Sequence, residues 1–295
     1  MPDVQNKKPT KIALLGGDLR QLAAKEALEG LGYLVALYGF DTYGCHRSLS
    51  LEEALDGAAI LLFPVPVLRN ERLNLPFTEE KLPLSSLMER LSPHLATVTA
   101  AFGGVLPDGL AEALTARGIA VYDLCREERF NILNSVPTAE GAIAIAMNHL
   151  NVTVCGASVC VTGFGRIGKT LCRLLRALGA HVTAVSRKEG DRALSELYGC
   201  RACDYKTLPA YAGEFDVIFN TVPETVITEP CLAELKKDAF VIDLASKPGG
   251  VDSDAALRHG IQVIAALSLP GKVAPVTAGR IIADCLHSRM TEVIS

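Results

Sequence analysis

The sequence predicts two doubly wound α/β domains, each built on a largely parallel sheet. Three observations predict them. Short apolar runs of strand length alternate with helix-period segments from Ile12 to Tyr122. The alternation pauses over Thr138–Leu150 and restarts at Ser158. The restart carries Gly163-Phe164-Gly165-Arg166-Ile167-Gly168 between an apolar strand and an amphipathic helix, the context that makes the second domain a Rossmann dinucleotide-binding domain. The domains are expected over residues 1–136 and 137–279, with a cleft between them. A C-terminal helix, residues 280–295, is expected to pack back on the first.

In the first domain, strands are expected at Ile12–Leu15, Leu34–Leu37, Ile60–Phe63, Thr97–Ala101 and Ile119–Tyr122, because buried parallel strands read as continuous apolar runs. Leu22–Leu31 and Leu110–Arg117 have helical spacing, the latter closed by Gly118. The loop Pro64–Pro83 holds four prolines and is long for such a unit, so it is either an active-site flap or hides a short helix. Pro137 suits the first position of a helix, where its missing N–H would have no partner, so Thr138–Leu150 reads as the bridge. The second domain follows with strands at Val159–Thr162, Val182–Ser186, Val217–Asn220, Val241–Leu244 and Val263–Ala266, and a weaker one near Cys200. The last helix is expected over Thr277–Met290.

At 295 residues the chain is long enough for two domains with separate cores. Its net charge of −4, from 29 basic and 33 acidic side chains mixed along the chain, offers no clustered basic footprint for nucleic acid or an anionic membrane. The opening segment MPDVQNKKPTK lacks the apolar core of a signal peptide. The uncharged stretch Gly141–Gly165 is broken by Asn148, His149, Asn151 and Thr153, so it reads as helix, turn and strand. A cytoplasmic protein is expected. Nine cysteines, an odd number, lie mostly in apolar runs as small hydrophobes, and Cys200 with Cys203 forms a lone CxxC. No metal site is expected.

In the fingerprint, Gly163 permits a sharp turn, Gly165 lets a pyrophosphate approach the backbone, and Gly168 lets helix and strand pack closely. Phe164, Arg166 and Ile167 complete the turn, and the helix that follows presents free N–H groups to the phosphates. The next strand ends in Ser186-Arg187-Lys188, where NAD-binding domains place an acid on the ribose 2′-hydroxyl. A hydroxyl and two cations suit a 2′-phosphate, so NADP is favoured, with NAD possible; the other reading is a solvated basic turn. Glu189 and Asp191 are expected in the following loop. Asn220-Thr221-Val222-Pro223 and Asp243-Leu-Ala245-Ser246-Lys247-Pro-Gly-Gly250 follow two later strands. Pro275 and Thr277 open the final helix, whose N-terminus is expected at the nicotinamide carboxamide.

Several stretches together resemble the dipicolinate synthase A-subunit family of spore-forming bacteria. They are Gly16-Gly17-Asp18-Leu-Arg20-Gln21, Asn134-Ser135-Val-Pro137-Thr138-Ala-Glu140-Gly141, the fingerprint, the Asn220 and Asp243 motifs, and Leu269-Pro-Gly-Lys-Val-Ala-Pro275-Val-Thr277-Ala-Gly279. The likeness spans nearly the whole chain. It implies oxidation of a dihydrodipicolinate-type ring to pyridine-2,6-dicarboxylate with NAD(P)+, in the mother-cell cytoplasm during sporulation. It also implies a partner, the flavoprotein-like B-subunit of dipicolinate synthase. A homo-oligomer is expected as well. More distantly, the layout is similar to D-2-hydroxyacid, alanine and methylenetetrahydrofolate dehydrogenases.

For that chemistry the protein must hold a small dicarboxylate and remove one proton. Arg20, beside the first helix, and Lys247, at a strand end of the second domain, are the leading carboxylate clamps; Arg126 and Arg129 come after them. Asp18 is the carboxylate that would accept a proton or orient Arg20. Ser135, Thr138 and Glu140 either face the cleft or, for Thr138 and Glu140, serve helix capping. No histidine stands in a catalytic motif: His46 falls in a first-domain loop, and His94, His149, His181, His259 and His287 read as helix or strand ends.

Overall fold

A computed structural model describes residues 9–44 and 48–294. Cys45, His46 and most of the opening segment lie outside the described residues. The chain divides into two compact units, Met1–Leu133 with Pro275–Ser295, and Asn134–Ala274. No helix among the described residues is long and apolar enough to cross a membrane.

The first unit runs β1 (Lys11–Leu15), α1 (Leu19–Gly30), β2 (Leu34–Tyr38), α2 (Leu51–Leu55), β3 (Ile60–Leu62), β4 (Leu68–Arg69), β5 (Arg72–Leu73), α3 (Leu84–Leu91), β6 (Ala100–Gly103), α4 (Asp108–Thr115) and β7 (Ala120–Asp123). Five strands form a parallel sheet in the order β2-β1-β3-β6-β7. Helices on both faces bury β1 and β3, which is why both read as unbroken apolar runs. Asp18 and Ser50 cap α1 and α2, each reciprocated three residues later by Gln21 or Glu53.

The long proline-rich loop contains no helix before Leu84. It folds into the β4–β5 hairpin, with Asn70 and Glu71 at φ 49° and 62°. Two consecutive residues in the left-handed region match the right-handed twist of the flanking strands. The expected strand at Thr97–Ala101 is displaced to β6, because Ser92–Thr97 continues α3 as a 3₁₀ turn.

Next comes α5 (Glu128–His149), a full ten residues earlier than the expected bridge, with Pro137 inside it. Proline removes one intrahelical bond, and buried Phe130, Ser135 and Ala139 keep the helix packed on either side of it. Thr138 is therefore mid-helix, and its hydroxyl donates to the Asn134 carbonyl at 2.8 Å.

The second unit runs β8 (Ser158–Thr162), α6 (Arg166–Ala177), β9 (His181–Val185), α7 (Glu189–Leu197), β10 (Arg201–Cys203), α8 (Leu208–Tyr211), β11 (Val217–Asn220), α9 (Glu229–Leu232), β12 (Phe240–Asp243), α10 (Ser253–Arg258), β13 (Gln262–Ala265) and α11 (Leu269–Val273). Its six parallel strands lie in the order β10-β9-β8-β11-β12-β13, which reverses direction between β8 and β11. Two apolar layers cover its faces. Glu189 and Asp191 belong to the first turn of α7 rather than to a loop, where their charge suits the helix N-terminus.

The final helix, α12 (Pro275–Ile294), returns to the first unit and lies along α1. Gly279 permits the approach: a Cβ there would stand 2.6 Å from Ala23 Cβ and collide with the Arg20 carbonyl. Pro275 and Thr277 thus stand in the first unit, not in the dinucleotide unit where the sequence pattern puts them. His287 is likewise mid-helix, with Nδ1 3.0 Å from the Tyr33 hydroxyl. His94 falls in the 3₁₀ turn.

Candidate dinucleotide-binding site

The site is assembled where β8, β9, β11 and β12 end, since every loop that follows a parallel strand leaves from the same edge of the sheet. That edge, at the reversal of strand order, is where open α/β sheets bind ligands. Gly163 has φ +89°, and a Cβ there would lie 2.7 Å from Val222 Cγ2 and against the Thr221 hydroxyl. At Gly168 a Cβ would run into the Gly163 carbonyl. The protein itself requires these two glycines.

Gly165 is different. Its φ is −80°, open to any residue, and a Cβ would meet nothing within 4 Å. It caps α6, whose first-turn N–H groups face the same open space. A glycine that the protein does not need, at a helix N-terminus, fits a site kept clear for a pyrophosphate. Arg166 and Ile167 form the first turn of α6. The Phe164 ring is buried, 5.7 Å from the Tyr198 ring, so this residue serves the turn through its backbone.

One polar network sets the loops. Thr162, Asn220 and Asp243 are register partners on adjacent strands. The Thr162 hydroxyl donates to Asn220 Oδ1 at 2.7 Å, and Asn220 Nδ2 donates to Asp243 Oδ1 at 2.7 Å and to the Val222 carbonyl at 2.9 Å. Asp243 also accepts from the Ala245 and Gly250 N–H groups, at 3.1 and 3.0 Å. Asn220, expected to touch the cofactor, is fully buried with its amide consumed by these bonds; it shapes the Thr221-Val222-Pro223 loop instead. Ser246 and Lys247 are exposed on the loop that Asp243 ties down, beside buried Ala245.

At the end of β9, Ser186 is buried and its hydroxyl lies 3.4 Å from Asp191, so it is turned away from solvent. Arg187 is 74% exposed and faces Glu224 at 3.6 Å. Lys188 is exposed at the cap of α7. Arg192 braces this turn by donating to the Ser186 and Arg187 carbonyls, at 3.0 and 2.9 Å. Sequence reasoning passed over Glu224, although it directly follows the Pro223 it singled out.

Ser135, expected to face a substrate, is buried in α5 with its hydroxyl 2.7 Å from Thr170 of α6. Thr138 is spent on its own helix. In the first unit, Arg20 is 5% exposed. Its Nε and Nη2 each lie 2.9 Å from an Asp18 oxygen, and Nη2 also donates to the Val65 carbonyl. Arg126 is exposed and 3.7 Å from Asp123, and Arg129 is exposed on α5. Cys200 of the CxxC shares a buried cluster with Cys172 of α6, and their interaction lowers the Cys200 pKa while raising that of Cys172. Among the described residues no group of three metal-ligating side chains occurs.

Sheet order and fingerprint define a protein with a Rossmann dinucleotide-binding domain. Residues 134–260 match the NAD-binding domain of D-isomer specific 2-hydroxyacid dehydrogenases, and residues 11–125 match the N-terminal domain of the dipicolinate synthase A-subunit. The chain is 30% identical to the dipicolinate synthase A-subunit of Bacillus subtilis (strain 168) over 290 residues, 96% of each chain. The crystal structure of the dipicolinate synthase A-subunit from Bacillus halodurans superposes with a TM-score of 0.85 at 31% identity, covering 95% of this chain and 97% of that one. The A chain of dipicolinate synthase from Bacillus subtilis gives 0.84 at 30% identity, covering 97% of both. The chain belongs to the dipicolinate synthase A-subunit family.

Proposed function

We propose that this chain oxidises a dihydrodipicolinate-type ring to pyridine-2,6-dicarboxylate with NADP+, as the A-subunit of a synthase that includes a flavoprotein-like B-subunit. The names of its relatives supply the product. The observation that carries the cofactor reading is Gly165, the one fingerprint glycine with no steric reason inside the protein. When bound, the dinucleotide accepts the hydride; aromatisation of the ring drives the transfer, so the protein's task is to bind and orient.

The residues divide that task. The α6 N-terminus and Gly165 receive the pyrophosphate, and exposed Arg187 and Lys188 receive the 2′-phosphate. Arg20 grips a ring carboxylate. Asp18 orients Arg20, because both of its oxygens are occupied by that side chain. Ser135 and Thr138 act as packing residues.

A 2-hydroxyacid dehydrogenase would need a histidine–carboxylate pair at the chemistry. Among the described residues the His–carboxylate ion pair found is His259 with Glu229 at 3.4 Å, and His259 lies just before β13 begins, at the opposite edge of the sheet from the fingerprint. The test is turnover of a dihydrodipicolinate with NADP+, with and without the B-subunit, followed by absorbance of the aromatic product. Activity confined to lactate-like acids would reject the proposal.

A further inference from the structure

Arg187 and Glu224 belong to different loops. Arg187 follows β9 and Glu224 follows β11, and β8 lies between these strands. Their side chains therefore meet across the end of β8, over the turn that opens at Gly163. Among the described residues, Glu224 is the only ion-pair partner found for Arg187.

A dinucleotide with its pyrophosphate at the α6 N-terminus lays its adenosine toward the end of β9. The nucleotide thus enters the space that the Arg187–Glu224 pair spans. For NAD the pair can persist, since a neutral 2′-hydroxyl makes no claim on a guanidinium. For NADP the 2′-phosphate and the Glu224 carboxylate claim the same cation, and they repel each other.

We propose that Glu224 is a specificity-determining residue, a built-in competitor that holds Arg187 and so weakens NADP binding relative to NAD. This rests on the reading of Arg187 as the 2′-phosphate partner. Glu224 is 66% exposed, and Gln keeps its shape, so Glu224→Gln leaves the fold intact. An exposed ion pair is weak, which sets the size of the effect.

The test is calorimetric titration of the full chain with NADP+ and NAD+ in wild type, Glu224→Gln, Arg187→Ala and the double variant. Glu224→Gln is expected to tighten NADP+ by about threefold to fivefold and to leave NAD+ within about twofold. In the Arg187→Ala background the gain should vanish, because the competitor then has nothing to hold. Equal gains for both nucleotides, no gain for NADP+, or a gain that survives Arg187→Ala would each overturn the proposal. If Arg187→Ala alone leaves the NADP+ to NAD+ ratio unchanged, the phosphate reading fails and takes this proposal with it. If that ratio collapses while Glu224→Gln does nothing, only the role of Glu224 is lost.

Discussion

The Asn220 amide nitrogen donates to the Asp243 carboxylate at 2.7 Å, and this one bond joins the loops that follow β11 and β12. Neither residue reaches solvent to any useful degree. Their work is to hold the backbone around them.

Replacing Asp243 by Ala would leave three N–H bonds without an acceptor in a buried setting: one of the two on Asn220 Nδ2, whose other still meets the Val222 carbonyl, and those of Ala245 and Gly250. Urea denaturation should show a loss of at least about 3 kcal/mol. Nucleotide titration should show a weaker site in whatever fraction folds. A variant with unchanged stability would mean that the loops hold their shape without this network.

Two glycines of the fingerprint should behave in opposite ways. Gly165→Ala places a methyl in open space at an ordinary φ, so its stability should match wild type within about 1 kcal/mol. Dinucleotide affinity should fall at least about tenfold as the methyl takes the phosphate's room. Gly168→Ala forces a methyl into the Gly163 carbonyl, and thermal unfolding should reveal the damage before any ligand is added. Normal NADP+ binding by Gly165→Ala would remove the main support for the cofactor site.

Gly279→Ala probes the first unit alone. The new methyl would collide with the Arg20 carbonyl and stand 2.8 Å from the Ala24 nitrogen, pushing α12 off α1. A loss of about 1–3 kcal/mol is expected. Turnover should fall with it, since the methyl presses on the backbone of α1 at Arg20. Full activity in a stable variant would separate Arg20 from the chemistry.

Alkaline pH should destabilise the second unit. Burial raises the Tyr205 phenol to about 12, Cys231 to about 12 and Cys203 to about 11, each above its ordinary value. A raised folded-state pKa in an acid means that the neutral form is favoured on folding. The contribution is whole below the unfolded pKa and drains away as pH climbs from there toward the folded value. Urea midpoints measured from about pH 8 to about pH 11 should therefore decline. In Tyr205→Phe the decline should be shallower; identical slopes would assign it to other groups.

Much of this architecture was legible in the residues. Apolar runs at Ile12–Leu15 and Val217–Asn220 mark strands because a sheet covered on both faces tolerates nothing else. The helix α2, which Ser50 and Glu53 cap, was not among the expected elements, because periodicity passes over so short a helix. Pro137 misled in the other direction: its local preference marks a helix start, and burial on both sides of it outweighs that preference. The β4–β5 hairpin was hidden because Asn70-Glu71 lacks the glycine that usually signals such a turn.

By itself the sequence determined the class of fold, the dinucleotide turn and the family, since each depends on short stretches whose spacing is their meaning. Which polar side chains are spent on hydrogen bonds within the protein was decided only by the tertiary structure. Asn220, Ser135 and Ser186 look like ligand-binding residues in the chain, yet their hydrogen bonds go to Asp243, Thr170 and Asp191. A buried polar group must find a partner, and that partner lies on another strand or helix, at a distance no local pattern can express.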